Sequence, residues 1–556
     1  MSGGRYREVL GVADARALIG ASAASQIGDW LYNAALLGYV YTATGSAGWV
    51  AVATIVRLIP YALLGPLGGT IADRYDRRSV LIVGDLMRLV LMLALAAVVA
   101  SDVDVVIVIA LTALASTAGS AERPAALALL PRLVGESRLG PANALLHTVQ
   151  NLAIVVGPAI GAILLTFASP ATSFAVNGAT FAVSALLIST IRRRGAPTQN
   201  RQVASVTSEL REGLRVTRST VFVAPLLVVV AMLEMTYGAQ TVLLVLYADR
   251  VLDLGDGGYG YLLAAAGAGG LLSVIINARL AANARVAIIV CLTSAVACVA
   301  QILYAGIDGV AAAMLITLVG GVAIVACEVV AETALARIVP RNVLGRVMGV
   351  FDALSVAAMV FGAFIAPLLV DQTSLSTAFV ITGATALVLT VACFGPLGGL
   401  DALTRERQRV LASRMAIVEK LPIAAGAPPM VLEQLAAAAQ VIPLPPGVDV
   451  VVQGAPAHAF FAIIDGSTIV HRDEQEVARL GPGDHFGERG LLDNAPRNAT
   501  VTTAEDSTLL RLEGDELLDA LQSAPTLMAA LEWSKAPLHA SPDATRLVDD
   551  PSWAPS

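Results

Sequence analysis

The feature that most restricts this chain is a succession of long apolar runs between residues 17 and 398. A helix needs roughly 20 apolar residues to cross a bilayer. Runs of that kind fall at 17–43, 47–72, 79–100, 103–121, 142–168 and 171–191. A second set falls at 220–247, 258–280, 285–306, 309–335, 345–370 and 375–398. Only 14% of residues are charged, against about 25% in a soluble domain. The expected class is therefore an all-α polytopic membrane domain of about twelve helices in two six-helix halves. These occupy residues 1–191 and 220–400, joined by a polar linker at 192–219.

Loop charge orients the spans. One set of alternate loops holds Arg74, Arg77 and Arg78, then Arg123, Arg132 and Arg138, then Arg192, Arg193 and Arg194. The same side continues with Arg279, Arg285, Arg337, Arg341 and Arg346. The opposite loops hold Asp102, Asp104, Asp308 and Asp371 and one basic residue, Arg250. Basic loops stay in the cytoplasm, so both termini are expected there. Lys420 and Lys535 are the only lysines. This Arg-for-Lys bias fits a GC-rich bacterial genome and hence a bacterial plasma membrane. No secretory signal peptide is expected, because the first apolar run is too long for one.

Ionisable residues inside a bilayer are costly and point to function. Asp29 lies in the first span and Arg57 in the second, where the two are expected to pair or Asp29 to carry a proton. Glu234 in the seventh span matches Asp29 in the first, each followed three residues later by tyrosine, Tyr237 and Tyr32. Asp29, Arg57 and Glu234 are the proton-coupling or substrate candidates. Asp85 and Arg88 are one helical turn apart and are expected to satisfy each other. Glu122, Glu328 and Glu332 fall nearer the cytoplasmic ends, where pairing with loop arginines is expected.

Several function classes drop out. Cys291, Cys298, Cys327 and Cys393 lie in apolar runs without metal-ligand spacing, so neither a metal site nor a disulfide framework is expected. A P-loop needs Gly-Lys-Ser/Thr, and neither lysine follows a glycine. Nucleotide is thus not expected as fuel, and no catalytic residues are expected. The net charge of −7 is no footprint of a nucleic-acid partner. Gly267, Gly269 and Gly270 sit inside a span and are expected to serve helix packing.

GTIADRYDRR, residues 69–78, resembles the signature loop of the major facilitator superfamily. The resemblance implies a gating loop of Gly69, Asp73, Arg74, Arg77 and Arg78, with Asp73 pairing to Arg77 in one transport state. Asp76 stands where the family has a second glycine. TGSAGWV, RLIPYALLGPLGG, ALLPRLV, LGPANAL and ARIVPRNVLGRVMG resemble the drug:proton antiporter branch that includes macrolide and siderophore exporters. The likeness covers about residues 15–398. That branch also holds lysophospholipid flippases, which leaves the substrate class open.

After Leu400 the pattern changes. Residues 404–421 form an amphipathic stretch, expected as a separate helix on the membrane surface or between domains. A helical linker is expected over 401–435, with a short helix at 430–439. From Val441 the period shortens to strands, VDVVV, AFFAII, STIV, VARL, ATVT and STLLRL, separated by turns. The expectation is a cytoplasmic β-roll with flanking helices over 436–540, Asp515 as a helix N-cap, and a disordered tail at 541–556.

FGERGLLDNAPRNATV, Phe486 to Val501, resembles the phosphate-binding cassette of cyclic-nucleotide-binding domains. The resemblance implies that Glu488 accepts the ribose 2′-hydroxyl and Arg497 holds the cyclic phosphate. It implies roles for Phe486, Gly487, Gly490, Leu491, Asn498 and Ala499 in the same site, with the amides of Gly490 and Leu491 completing the cradle. Leu527, Leu531 and Trp533 are candidates to cap the base. In the family threonine after the arginine favours cGMP and alanine suits cAMP, whereas Asn498 matches neither. From its bacterial setting cAMP is expected, with cGMP the alternative. The combined expectation is a proton-coupled exporter of amphipathic small molecules in a lipid bilayer, regulated by cyclic nucleotide. A regulated lysophospholipid flippase and a non-transporting receptor are the alternatives.

Overall fold

The computed structural model describes residues 2–101, 103–135, 138–192, 215, 222–281, 285–339, 341–421, 424 and 429–523. The chain divides into two units, Met1–Thr404 and Arg405–Ser556. Most of the linker 192–219, the base-capping candidates Leu527, Leu531 and Trp533, and the tail 541–556 lie outside the described residues.

The first unit is helical. A short α1 (Ser2–Gly11) precedes α2 (Ala13–Thr44), α3 (Ala47–Arg74), α4 (Arg77–Ala100), α5 (Val105–Gly119) and α6 (Glu122–Val134). Then come α7 (Leu139–Phe167) and α8 (Pro170–Ser189). The second half holds α9 (Val223–Arg250), α10 (Gly258–Ala281), α11 (Val286–Leu303), α12 (Val310–Ile338), α13 (Arg341–Gln372) and α14 (Leu375–Val418). With α5 and α6 taken as one crossing, each of the twelve expected runs has its helix among the described residues. Ten of these are long and apolar enough to cross a membrane. The exceptions are α2, diluted by Ser22, Ser25, Gln26, Asp29 and Asn33, and α3, whose apolar described part is Ala47–Tyr61.

Two boundaries differ from expectation. The fourth run does not stop at 121 but continues through a break at Ser120–Ala121 to Val134. The stretch at 404–421 is not a separate helix. It is the end of α14, which runs unbroken for 44 residues. The change from apolar to charged residues alters polarity, whereas Leu, Arg, Glu, Gln and Ala all sustain a helix.

Large apolar side chains face outward from this unit, among them Val90, Leu186, Ile275, Leu292, Val388 and Val391. Such a surface suits hydrocarbon, in which only helices or closed barrels satisfy the backbone. Without a hydrophobic drive between helices, close backbone approach supplies the packing. Between α10 and α12, a Cβ on Gly269 would overlap the Leu318 carbonyl, and one on Gly321 the Ala266 carbonyl. Gly321→Leu is therefore expected to separate the two helices and lower the thermal midpoint of the detergent-purified protein by several degrees. An unchanged midpoint would remove the close approach from the account.

The second unit begins with the end of α14, whose Leu411, Met415 and Val418 join a core with Leu432, Leu435, Phe460, Leu510, Leu512 and Leu517. After α15 (Pro429–Ala438) come β1 (Gln440–Leu444), β2 (Asp449–Val451), β3 (Ala459–Asp465), β4 (Thr468–Arg472) and β5 (Gln475–Leu480). They are followed by β6 (His485–Phe486), α16 (Glu488–Leu492), β7 (Thr500–Thr503), β8 (Ser507–Glu513) and α17 (Gly514–Ser523). Two antiparallel sheets form, in orders β1-β8-β3-β6 and β2-β7-β4-β5. Strand alternation sorts their side chains. Phe460 and Ala462 face the helical core, whereas Phe461 and Ile463 join Phe486, Val501 and Leu509 between the sheets. The six expected strands are present. Both β1, carrying Pro443, and the two-residue β6 escaped the sequence pattern. Asp515 lies in the first turn of α17 rather than at its N-cap, because the helix already begins at Gly514.

Candidate nucleotide pocket and membrane-embedded charges

Strand β6 leads into Gly487, whose φ of 93° lies in the left-handed region. Only glycine enters it at no steric cost. A Cβ there would also stand 2.5 Å from Arg497 Nη1 and 3.1 Å from the Ala459 carbonyl oxygen. The turn opens α16, whose first amides have no acceptor within their own helix. Arg497 is buried and doubly anchored. Its Nη1 donates to the Gly487 carbonyl at 2.8 Å and its Nη2 to the Ala459 carbonyl at 2.5 Å. Burial pulls its pKa below the usual value, with Glu488 opposing the shift. The guanidinium remains cationic at any physiological pH.

Glu488 is also buried, and its Oε2 has no hydrogen-bond partner. A buried acceptor left unmade costs about 1–3 kcal/mol, more if charged. A hydroxyl donor from a ribose would satisfy it. Phe486, Gly487, Glu488, Gly490, Arg497, Asn498 and Ala499 line one cavity of about 260 Å³. Phe486 stacks on Phe461 with ring centroids 5.3 Å apart. Leu491 does not line this cavity. It packs at the helical core instead, so its amide alone is left for the cradle. Sequence reasoning missed Arg472, Val477, Asp484, His485 and Arg489, which share the lining. Burial pulls the His485 imidazole below its usual value, against the pull of Glu488 and Asp484. The residues present thus fit a cyclic nucleotide, with an anion holder and an orphaned acceptor in one cavity.

In the first unit the structure rearranges the expected pairs. Arg88, with its side chain 3% exposed, is the hub. It reaches Asp85 at 2.8 Å, Glu122 at 2.6 Å and Asp29 at 3.3 Å. Its guanidinium lies over the Phe181 ring, 4.1 Å from the centroid. Ser25 donates to Glu122 at 3.0 Å. Asp29 is therefore paired with Arg88 and not with Arg57. Glu122 likewise meets this span arginine rather than a loop arginine. Both partners were out of reach of a local rule, which assigns Arg88 to its helical neighbour Asp85.

Arg57 lies over Trp30 at 5.9 Å, its Nε buried without a hydrogen-bond partner. Its charge acts on Asp29 and Tyr32 in the first half and on Tyr237 and Tyr259 in the second. Glu234 is buried, and Glu328 lies close enough to act on it electrostatically. The expectation that Glu328 pairs with a loop arginine is thereby corrected.

In the loop 69–78, Asp76 accepts from the Ser79 amide at 3.2 Å and caps α4. This explains an aspartate where the resembling loop has glycine. Arg78 donates to the carbonyls of Ile188 at 3.2 Å and Ser189 at 2.5 Å, closing the end of α8. Arg77 is buried and Arg74 exposed. The side chains of Gly69 and Asp73, and so their expected pairing, lie outside the described residues.

Comparison with known proteins covers both units. The family described as "Transmembrane secretion effector" matches residues 13–410, and the family "Cyclic nucleotide-binding domain" matches residues 441–524. The multidrug efflux pump Tap of Mycobacterium tuberculosis is 26% identical over 386 residues, 66% of this chain and 88% of that protein. BacE of Bacillus subtilis, named as a bacilysin exporter, is 30% identical over 207 residues, 37% of this chain. The chain spans only about half, 51%, of BacE's length. The solved nucleoside transporter NupG shares the fold, with a TM-score of 0.58 at 12% identity over 69% of this chain and 99% of NupG. The chain belongs to the transmembrane secretion effector family of major facilitator transporters, and its transporter domain is fused to a cyclic nucleotide-binding domain.

Proposed function

We propose that this protein is a proton-coupled exporter of amphipathic small molecules, switched by a cyclic nucleotide bound in its second unit. The observation that carries the reading is the cavity in which an anchored Arg497 and a buried, unsatisfied Glu488 lie together, on a chain of an efflux family. Its setting is a bacterial plasma membrane, with both termini and the sensor on the cytoplasmic side, as the loop arginines indicate.

Arg497 would hold the phosphate through its planar fork and Glu488 the ribose. The remaining steps belong to the transporter. Asp29, Arg57 and Glu234 would serve proton and substrate, and Gly69, Asp73, Arg74, Arg77 and Arg78 the gating loop. The nearness of a second acid, Glu328, to the buried Glu234 supports a proton held in the second half. A ligand shifts a transport equilibrium only through differential affinity for its states. The shared helix α14, which ends in the sensor's core, supplies a covalent route for that difference.

The test is efflux of a cationic dye from proteoliposomes under an imposed pH gradient, with and without cAMP or cGMP. Nucleotide should change the rate severalfold in the natural chain and not in Arg497→Ala. Glu234→Gln should abolish the dependence on the gradient while binding of nucleotide persists. Gradient-independent flux in the natural chain would reject proton coupling, and equal rates with and without nucleotide would reject the switch.

A further inference from the structure

The lining of the nucleotide cavity includes a further cation, Arg472, for which the proposed function has no use. Arg472 ends β4, two residues after Val470, so both project to the same face of the strand. Val470 is partly buried against the core between the sheets, and Arg472 is exposed at the strand's end on that same face. On the paired strand β5 the register slips, with Ala478 opposite Val470 but Glu476 opposite His471. Val477 is therefore the extra residue of a bulge, a device that re-aims side chains. It too lines the cavity.

The position of Arg472 is held from outside. Asp473 and Glu474 form the two-residue turn to β5, with φ of 51° and 66°. Positive φ at both positions is the signature of a tight hairpin turn. Gln453, which follows β2, clamps this tip with two hydrogen bonds. Its Nε2 donates to Asp473 Oδ1 at 2.9 Å and its Oε1 accepts from the Asp473 amide at 3.0 Å. The Arg472 side chain itself makes no hydrogen bond or ion pair among the described residues. An exposed, unspent guanidinium on a clamped hairpin thus lines the cavity beside the aliphatic Val451, Val470 and Val477.

We infer that Arg472 reads the base and selects guanine, so that the regulatory ligand is cGMP rather than cAMP. The inference rests on the reading of the cassette as a cyclic-nucleotide site. With phosphate at Arg497 and ribose at Glu488, the base is left for the Val470–Arg472 wall. Guanine offers two acceptors, O6 and N7, that match the donor pair of an arginine. Adenine offers N7 but places the N6 amino donor beside it, and arginine has no acceptor to meet that donor. Asn498 carries both a donor and an acceptor and so accommodates either base. On this inference cGMP, the alternative ligand expected from the sequence, is preferred to cAMP because of a residue that lies outside the cassette.

The test is isothermal titration of the purified full-length chain in detergent with cGMP and with cAMP. The natural chain should bind cGMP at least about tenfold more tightly. Arg472→Gln offers adenine a donor and an acceptor and should erase or invert that ratio. Gln453→Ala, which frees the hairpin tip, should narrow it. Arg497→Ala should weaken both nucleotides alike, which separates the base reading from the sensor reading. Equal or tighter cAMP binding by the natural chain overturns the inference, as does an unchanged ratio in Arg472→Gln. Absence of binding by either nucleotide overturns the sensor reading and the inference with it.

Discussion

Arg88→Met is expected to unfold or inactivate the membrane unit more severely than any other single change in a span. Asp29, Asp85 and Glu122 all place an oxygen within 3.3 Å of this one guanidinium. Methionine keeps much of the bulk and all of the apolar stem but leaves three carboxyl groups with no counter-charge. Breaking a buried ion pair by removing one partner costs about 3–5 kcal/mol, because the other charge stays buried. Here three partners are stranded on α2, α4 and α6, so the loss falls on the joint between these helices. Arg88→Lys should recover only part of it, since an ammonium lacks the planar fork that serves several carboxylates at once. Adding Asp29→Asn, Asp85→Asn and Glu122→Gln to Arg88→Met should restore stability, because neutral amides need no cation. The measurement is the thermal midpoint in detergent beside dye efflux. A midpoint for Arg88→Met equal to that of the natural chain would show that the network is not structural.

Arg497→Ala carries the second large effect. The natural side chain bonds two backbone carbonyls, Gly487 and Ala459, and leaves its remaining donors for an anion. Hydrogen bonds to charged groups contribute about 1.5–3 kcal/mol each, so losing a bidentate phosphate contact should weaken nucleotide binding by roughly 100-fold or more. Arg497→Lys should fall between, keeping the charge without the fork. Because the two carbonyls also lose their donors, the β-roll of the alanine variant should melt earlier. Calorimetry and a melting curve on the same sample separate the two losses. Nucleotide binding by Arg497→Ala within threefold of the natural chain would remove the phosphate role.

Much of this was legible from local pattern. The apolar runs correspond to helices because bilayer crossing imposes a length, and length is readable in one dimension. The cassette was legible because Glu488 and Arg497 lie nine positions apart in one stretch, α16 and the loop that follows it. What escaped were partners distant in the chain. Arg88 looked satisfied by Asp85 three residues away, and nothing in the order of residues tied it to Asp29 or Glu122. Glu328 looked like an end-of-helix acid until α12 brought it to Glu234. The polar stretch at 404–421 looked like a new helix because composition reports the surroundings of a segment, not where its backbone hydrogen bonds end.

The cyclic-nucleotide cavity shows the same division. By itself the sequence singled out Gly487, Glu488 and Arg497 as candidates, because all three belong to one continuous stretch from β6 through α16 to the loop after it. The side of the cavity inferred to meet the base is assembled from β2, β4 and β5, with a bulge at Val477 and a clamp from Gln453 to Asp473. Only the tertiary structure brought Arg472 into one cavity with Arg497, since strand register and a tight turn decide which face of a strand a side chain occupies.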